Sequence, residues 1–387
     1  MASPSKHKAS SARSVRASAA PAPAIDLAVR EIDALFKTAG LVRNLRGEVG
    51  RVTRRARQKQ VAPEELRQSA PAPVPIVASN GVALLKIPAW EKPGREKAGW
   101  LWHGFSTRQG GFSRAYCAED APGELNVGFT AADDRETVAR NRRLLVEAVS
   151  GDPSTPLVTV RQVHSSVVVH AVAADAGRSS PRKAGVPGDG SLSLGWKADG
   201  LMTDEPGLLL GVQTADCIPV LVADRKRRVV AAFHAGWRGT VKRIVESGVG
   251  RMRLEFGCRP EDLTAAIGPG VGVCCYAVGE EVFSSFESQF AYAGALFHEV
   301  YDTDPVRTKY PMLFLTQRAP GHLALGPSLH VDLVEANRRQ LLDAGLKAGS
   351  IHATGGCTSC HRELFFSHRA SHGHAGRMMS VIGIRPR

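Results

Sequence analysis

The sequence predicts an α+β fold, with mixed β-sheets flanked by helices in one compact catalytic domain. Three observations carry this expectation. Apolar strand-sized runs follow one another with amphipathic helical stretches between them, and there is no regular βαβ alternation. Of the 387 residues, 43% are hydrophobic, enough for a large core. No run approaches the 18 or so apolar residues that a membrane-spanning helix requires, so no membrane partner is expected.

The elements can be justified in chain order. Residues 1–24 are rich in Ser, Ala and Arg without an apolar stretch, the composition of a disordered basic tail and not of a secretory signal. Ile25, Val29, Ile32, Leu35 and Phe36 recur at helical spacing. "APAPVP" at 70–75 reads as a linker, which sets a basic N-terminal segment (1–75) apart from the main domain (76–387). "LVTVRQV" (157–163), "SVVVHAV" (166–172), "GLLLGVQ" (207–213), "IPVLVAD" (218–224), "VVAAFHA" (229–235) and "MMSVIGI" (378–384) read as strands. "TVKRIVESGVGRMRLEF" (240–256) reads as one helix with Val241, Ile244, Val245 and Met252 on its apolar face. "VDLVEANRRQLLDAG" (331–345) reads as another, capped by Asp332 and stopped by Gly345.

Net charge is +13, but residues 1–70 hold fourteen Lys and Arg against six Asp and Glu, which leaves +8 there and only +5 over the rest. A basic tail touches nucleic acid non-specifically. Without interleaved aromatics or a recognition motif, no specific nucleic-acid partner is expected. Seven cysteines, an odd number, and the lack of an export signal point to a reducing, cytoplasmic setting rather than a disulfide framework. The same reasoning sets aside c-type haem attachment for "CTSCH" at 357–361.

Three segments end a strand on a soft or imidazole ligand: "RQVH" with His164, "QTADC" with Cys217 and "FHAGWRG" with His234. Two His and one Cys suit Zn²⁺ and leave a fourth position open, the pattern of a catalytic site. Zn²⁺ in such a site brings the pKa of bound water to about 7. Cu²⁺ accepts the same ligands. For binding phosphate, the guanidinium fork of Arg is the natural group. Arg108 lies in "STRQGG", Arg238 in "GWRG" and Arg369 in "FFSHRA". Asn126 in "LNVG" is a candidate for binding ribose or phosphate, or for closing a turn. Asp216 is a candidate to orient a ligand His, and His103 in "WHGF" a candidate acid–base. Cys274 and Cys275 in "GVCCY", read as strand neighbours, would point to opposite faces, one of them lining the site. A second zinc through Cys357, Cys360 and a His falls short of four ligands, because only one Cys-x-x-Cys pair is present.

The ordered series "HGFSTRQGGFS", "LNVG", "RQVH", "ADGLMTD", "TADCIPVLVAD", "FHAGWRG", "AAIGPGVGVCCYAVG" and "CTSCHRELFFSHRA…GRMMSVIGI" resembles the laccase-domain family, also called the multicopper polyphenol oxidase-like or purine nucleoside phosphorylase family. The resemblance covers roughly residues 100–387. It implies a compact α+β fold and zinc ligands at His164, Cys217 and His234. It also implies phosphorolysis of adenosine, inosine and methylthioadenosine, with adenosine deamination, so that purine nucleosides and phosphate are the expected partners. The C-terminal signature places Cys357 near the active-site rim, with Phe365 or Phe366 and Arg369 behind it. His368 and Ala370 stand where the family often has Tyr and a second Arg. Two other readings compete: copper-dependent phenol oxidation, and a non-enzymatic binding module led by the basic N-terminus. A true multicopper centre needs several His-x-His pairs, and only His372/His374 has that spacing.

Overall fold

The computed structural model describes residues 60–61, 63–68, 71–91, 99–172, 191–300 and 328–387. The tail and the helical face expected over residues 25–36 lie outside them. The described residues belong to one compact unit. The described part of the segment that precedes the Pro-rich linker joins it: strand β1 (Gln60–Val61) pairs in parallel with Glu299 and Val300.

Strands β2 (Ile76–Val77), β3 (Ala83–Leu85), β4 (Leu101–Ser106), β5 (Gln109–Ser113), β6 (Leu157–Arg161), β7 (Val168–His170), β8 (Ser191–Lys197), β9 (Gly200–Thr203) and β10 (Leu209–Thr214) follow β1. Then come β11 (Ile218–Asp224), β12 (Val229–Ala235), β13 (Leu263–Ile267), β14 (Ala277–Val278), β15 (Phe297–Val300), β16 (Ser328–Val331), β17 (Ile351–Ala353) and β18 (Met378–Ile384). Among the described residues all of them but β5 fall into three sheets: β2-β3-β4-β18-β10-β6-β8, β17-β13-β11-β12-β9-β7 and β1-β15-β16-β14. Both larger sheets mix parallel and antiparallel pairs; β10 runs parallel to β6 and antiparallel to β18. Strands β11, β12 and β18 are buried along their whole length. They read as continuous apolar runs because both of their faces are covered.

Leu210 and Val212 of one large sheet pack with Leu221, Ala223, Val230 and Ala232 of the other, so the two sheets share a core. Helices cover the outer faces. Helix α1 (Pro63–Gln68) and α2 (Pro88–Glu91) are short. Helix α3 (Arg135–Ser150) begins at Asp134, whose carboxylate accepts from Thr137 N, and ends at Gly151 in the left-handed conformation. The single helix expected over 240–256 is two: α4 (Trp237–Val241) and α5 (Ile244–Phe256). Between them Arg243 adopts φ +59°, which breaks the hydrogen-bond ladder and re-aims the chain. Ile244, Val245 and Met252 are buried as the periodicity requires. Helices α6 (Glu280–Glu287) and α7 (Leu333–Asp343) complete the set. Asp332 caps α7 by accepting from Glu335 N at 2.9 Å. The vicinal cysteines lie on a turn between β13 and β14, not on a strand.

Candidate metal centre and active-site cleft

His164 follows β6, Cys217 lies between β10 and β11, and His234 is near the end of β12. Their ligand atoms lie within 4.8 Å of one another. The His164 Nε2 and Cys217 Sγ are 3.8 Å apart, and the two imidazole rings meet edge to face at 5.0 Å. Two turns bring the ligands in. His164 has φ +58° and Asp216 has φ +92°, conformations uncommon for residues with a Cβ. Gly236 is required by closeness: a Cβ there would stand 2.8 Å from the Cys217 Sγ and 2.9 Å from the His164 Cδ2.

One residue that the sequence reading did not single out holds this set in place. Asp199, fully buried before β9, accepts from the backbone N–H of Val163, His164 (2.9 Å) and Ser165 (2.6 Å), and from the Ser165 hydroxyl at 2.7 Å. Its carboxylate also stands 2.9 Å from His234 Nδ1. That bond fixes the ring and leaves Nε2 for a ligand, an arrangement typical of metal-bound imidazoles. Burial works against charge on Asp199, yet its bonds to His234 and Ser165 hold its pKa well below the usual carboxylate range. Burial also pushes the Cys217 thiol up, but the neighbouring His234 and His164 outweigh it and bring its pKa to about 6. His234 is lowered by burial and raised more strongly by Cys217 and Asp199, to about 9. A thiolate and two imidazoles, one oriented by a carboxylate, form a donor set that fits a tetrahedral metal with one position open.

The triad opens into a cleft of about 640 Å³. Four guanidinium-bearing residues line it: Arg161, Arg238, Arg369 and Arg377. Two aromatic rings line it as well. Arg238 lies 4.4 Å over the Trp237 ring, and Arg369 lies 4.9 Å over the Tyr276 ring. Burial and the negative Cys217 push the Tyr276 phenol up to about 12, so it is a hydrogen-bond donor at neutral pH. Asp216 does not reach a ligand imidazole. It accepts from the Thr358 and Ser367 hydroxyls, both at 2.7 Å, and from Arg369 N at 2.6 Å, and so pins the C-terminal signature to the cleft.

Several candidates fall elsewhere. Arg108 pairs with Glu124 at 2.5 Å, donates to the Arg362 and Tyr116 carbonyls and lies over Phe366, so its fork is engaged within the fold. Asn126 closes a turn. Its side chain accepts from Gly128 N and Arg377 N and donates to Gly128 O and Asp133. His103 is fully buried on β4, where its Nε2 accepts from Ile87 N at 2.9 Å, and burial brings its pKa to about 3. None of these three lines the cleft. Cys357 is fully buried rather than at the rim, and it converges with Cys275 at a separate cluster. Asp199, Tyr276 and Arg377 lie within "ADGLMTD", "AAIGPGVGVCCYAVG" and "GRMMSVIGI", but no local pattern there marks them as site residues.

A family model described as multi-copper polyphenol oxidoreductase laccase matches residues 102–385. The chain belongs to this family of enzymes. A purine nucleoside phosphorylase of Bacteroides thetaiotaomicron is 34% identical over 282 residues, 73% of this chain and 91% of that protein. The purine nucleoside phosphorylase YlmD of Geobacillus stearothermophilus is 36% identical over 73% of this chain and 89% of its own length. The crystal structure of YlmD from that organism superimposes with a TM-score of 0.61, covering 81% of this chain and all of the other. An adenosine deaminase from an unknown prokaryotic organism is 33% identical over 48% of this chain and 61% of that protein. The laccase-family fold thus accounts for the mixed sheets and flanking helices.

Proposed function

We propose that this enzyme acts on purine nucleosides, cleaving adenosine, inosine and methylthioadenosine with phosphate and deaminating adenosine, with Zn²⁺ held by His164, Cys217 and His234. One observation carries the reading: a single cleft is lined both by the His2Cys set and by four arginines. An anionic co-substrate needs such a concentration of positive charge, and a neutral phenol does not. The relatives named as phosphorylases and as a deaminase support the same substrate class.

In phosphorolysis a phosphate oxygen bonds to the anomeric carbon, the glycosidic bond to the purine breaks, and the base leaves with a proton. In deamination water adds to the amino-bearing ring carbon and ammonia departs. Arg238 and Arg369, the guanidinium groups stacked on Trp237 and Tyr276, would hold phosphate in bidentate fashion and keep it in line with the sugar. Asp199 would hold His234 in the tautomer that presents Nε2. Bound Zn²⁺ would supply Lewis-acid polarisation in the open position.

Purified protein of known metal content, incubated with adenosine with and without phosphate, tests the proposal. Adenine plus ribose 1-phosphate that appears only with phosphate is the expected outcome, with inosine as the product of the deaminating side activity. No product from any of the three nucleosides, at full metal loading, overturns it. The family's description as a multi-copper polyphenol oxidoreductase favours one alternative, phenol oxidation through copper at the same thiolate–imidazole set. Oxygen uptake by copper-loaded protein with a phenol, and none with zinc, would favour that alternative.

A further inference from the structure

We propose that Cys274, Cys275, Cys357 and Cys360 form a second metal site, a closed tetrathiolate that takes one structural Zn²⁺ and ties together the two loops that build the cleft wall. The four sulfur atoms all lie within 4.8 Å of one another. Cys360 Sγ stands 3.5 Å from Cys274 Sγ and 3.4 Å from Cys275 Sγ. Four thiolates bound at about 2.3 Å in a tetrahedron stand about 3.8 Å apart, so this packing already has the dimensions of a zinc cage.

The local backbone explains how two cysteines adjacent in sequence can both contribute. They sit on a turn closed by Cys275 N and Tyr276 N donating to Gly272 O, which removes the strand alternation that would have sent them apart. The other pair, Cys357-x-x-Cys360, lies on a second turn closed by His361 N donating to Cys357 O at 3.0 Å. The two turns are joined where Thr358 N donates to Gly270 O. Gly272 N donates to Cys357 Sγ at 3.1 Å, a bond that favours the thiolate. A Cβ on Gly272 would sit 3.1 Å from the Cys357 Cβ and 3.2 Å from the Cys274 Sγ, so glycine permits the approach. Leu66, Val271 and Val300 pack against the sulfurs as an apolar shell. Cys275 and Cys360 are only half-buried, which leaves an ion a way in. All four positions of a tetrahedron are supplied by protein, so the bound ion has no open position and serves structure.

The site is distinct from the triad but coupled to it by chain connectivity. Tyr276, which lines the cleft, follows Cys275 directly. Thr358, which follows Cys357, donates to Asp216, the neighbour of the ligand Cys217. An ion at the cage would therefore fix both walls of the cleft entrance.

Zinc quantification on the full chain, produced with zinc and kept reduced, tests this. Wild type should carry two zinc ions per chain. Cys217→Ser should keep one, with a sulfur-only coordination shell by X-ray absorption, and Cys360→Ser should keep the other, with mixed nitrogen and sulfur ligands. The Co²⁺-loaded Cys217→Ser variant should show the intense thiolate-to-metal charge transfer of four sulfur ligands. If Cys360→Ser does not fold, the wild-type stoichiometry and the Cys217→Ser spectrum decide alone. A wild type with one zinc in a mixed nitrogen–sulfur shell overturns the cage and leaves the triad standing. One zinc in a sulfur-only shell overturns the triad and leaves the cage. Intact mass reduced by two hydrogens per bond, showing disulfides among these four cysteines in freshly reduced protein, also overturns the cage.

Discussion

The His2Cys triad and the four-cysteine cluster use overlapping donor chemistry in opposite ways. The triad sits at the rim of the sheets, where two left-handed turns aim its members and a buried carboxylate receives five hydrogen bonds from around it. The cysteine cluster takes hydrogen bonds from the Gly272 backbone N–H and the Ser359 side chain. One site faces a cleft lined by arginines; the other is backed by Leu66, Val271 and Val300, with Cys275 and Cys360 half-buried. The difference teaches that openness separates the two sets of donors: the triad leaves a position toward the cleft, whereas the four thiols enclose the space between them.

The sharpest way to break the contrast is to remove a triad ligand. His234→Ala should abolish zinc binding at the cleft and nucleoside turnover, a loss of at least about 1000-fold, while zinc at the cysteine cluster stays. Metal analysis alongside product assays checks this; retained turnover at half the wild-type zinc would remove the triad from the chemistry. Next in size is Arg238→Lys, which keeps charge but loses the planar fork. Turnover should fall about 10- to 1000-fold with zinc content unchanged, and unaltered kinetics across phosphate concentrations would make Arg238 an ordinary surface residue. Asp199→Asn should weaken zinc at the cleft by about 10- to 100-fold, read by competition with a chelator, and should not touch the cysteine cluster.

The smallest effects belong to residues that lie outside both regions. Arg108→Met should leave the KM for phosphate unchanged and lower stability by about 1–3 kcal/mol, because Glu124, whose pKa burial raises, loses its partner. His103 gives a pH test. Its pKa is about 3 in the fold and about 6.5 in an unfolded chain, so the unfolded state binds the proton more readily. The neutral form's contribution is complete above about pH 6.5 and is lost as pH falls toward 3. His103→Gln, which keeps an acceptor for Ile87 N, should flatten the decline in denaturant midpoint between those values and leave the pH–rate profile alone. A shifted rate profile would return His103 to the acid–base role that its motif suggested.

How much of this was legible in the sequence follows from range. The convergence of His164, Cys217 and His234 was readable because each stands at or just beyond the end of an apolar run, so local pattern and donor chemistry coincide there. The apolar runs of β6, β10, β11, β12 and β18 were readable for the same reason. Asp199 was not, because its meaning lies in bonds to residues 34–36 positions away. Arg108 and Asn126 sit in glycine-bearing motifs that suit anion binding, but a motif gives no distance, and the fold spends both on internal hydrogen bonds. The cysteine cluster was hidden twice. Its halves are more than 80 residues apart, and the vicinal pair looked like part of a strand until the turn at Gly272 was seen.

The order of strands in the seven-stranded sheet has a consequence for synthesis. Strand β18, latest in chain order of all those described, lies between β4 and β10 and pairs antiparallel with both. While a ribosome is still extending the chain beyond β10, those two neighbours have no common partner, and their facing edges expose unpaired N–H and C=O groups. At about 5–20 residues per second this interval lasts about 8–30 s. The sheet therefore cannot close until β18 has been made, and through that interval the open edges of β4 and β10 are the kind that invite pairing by other strands.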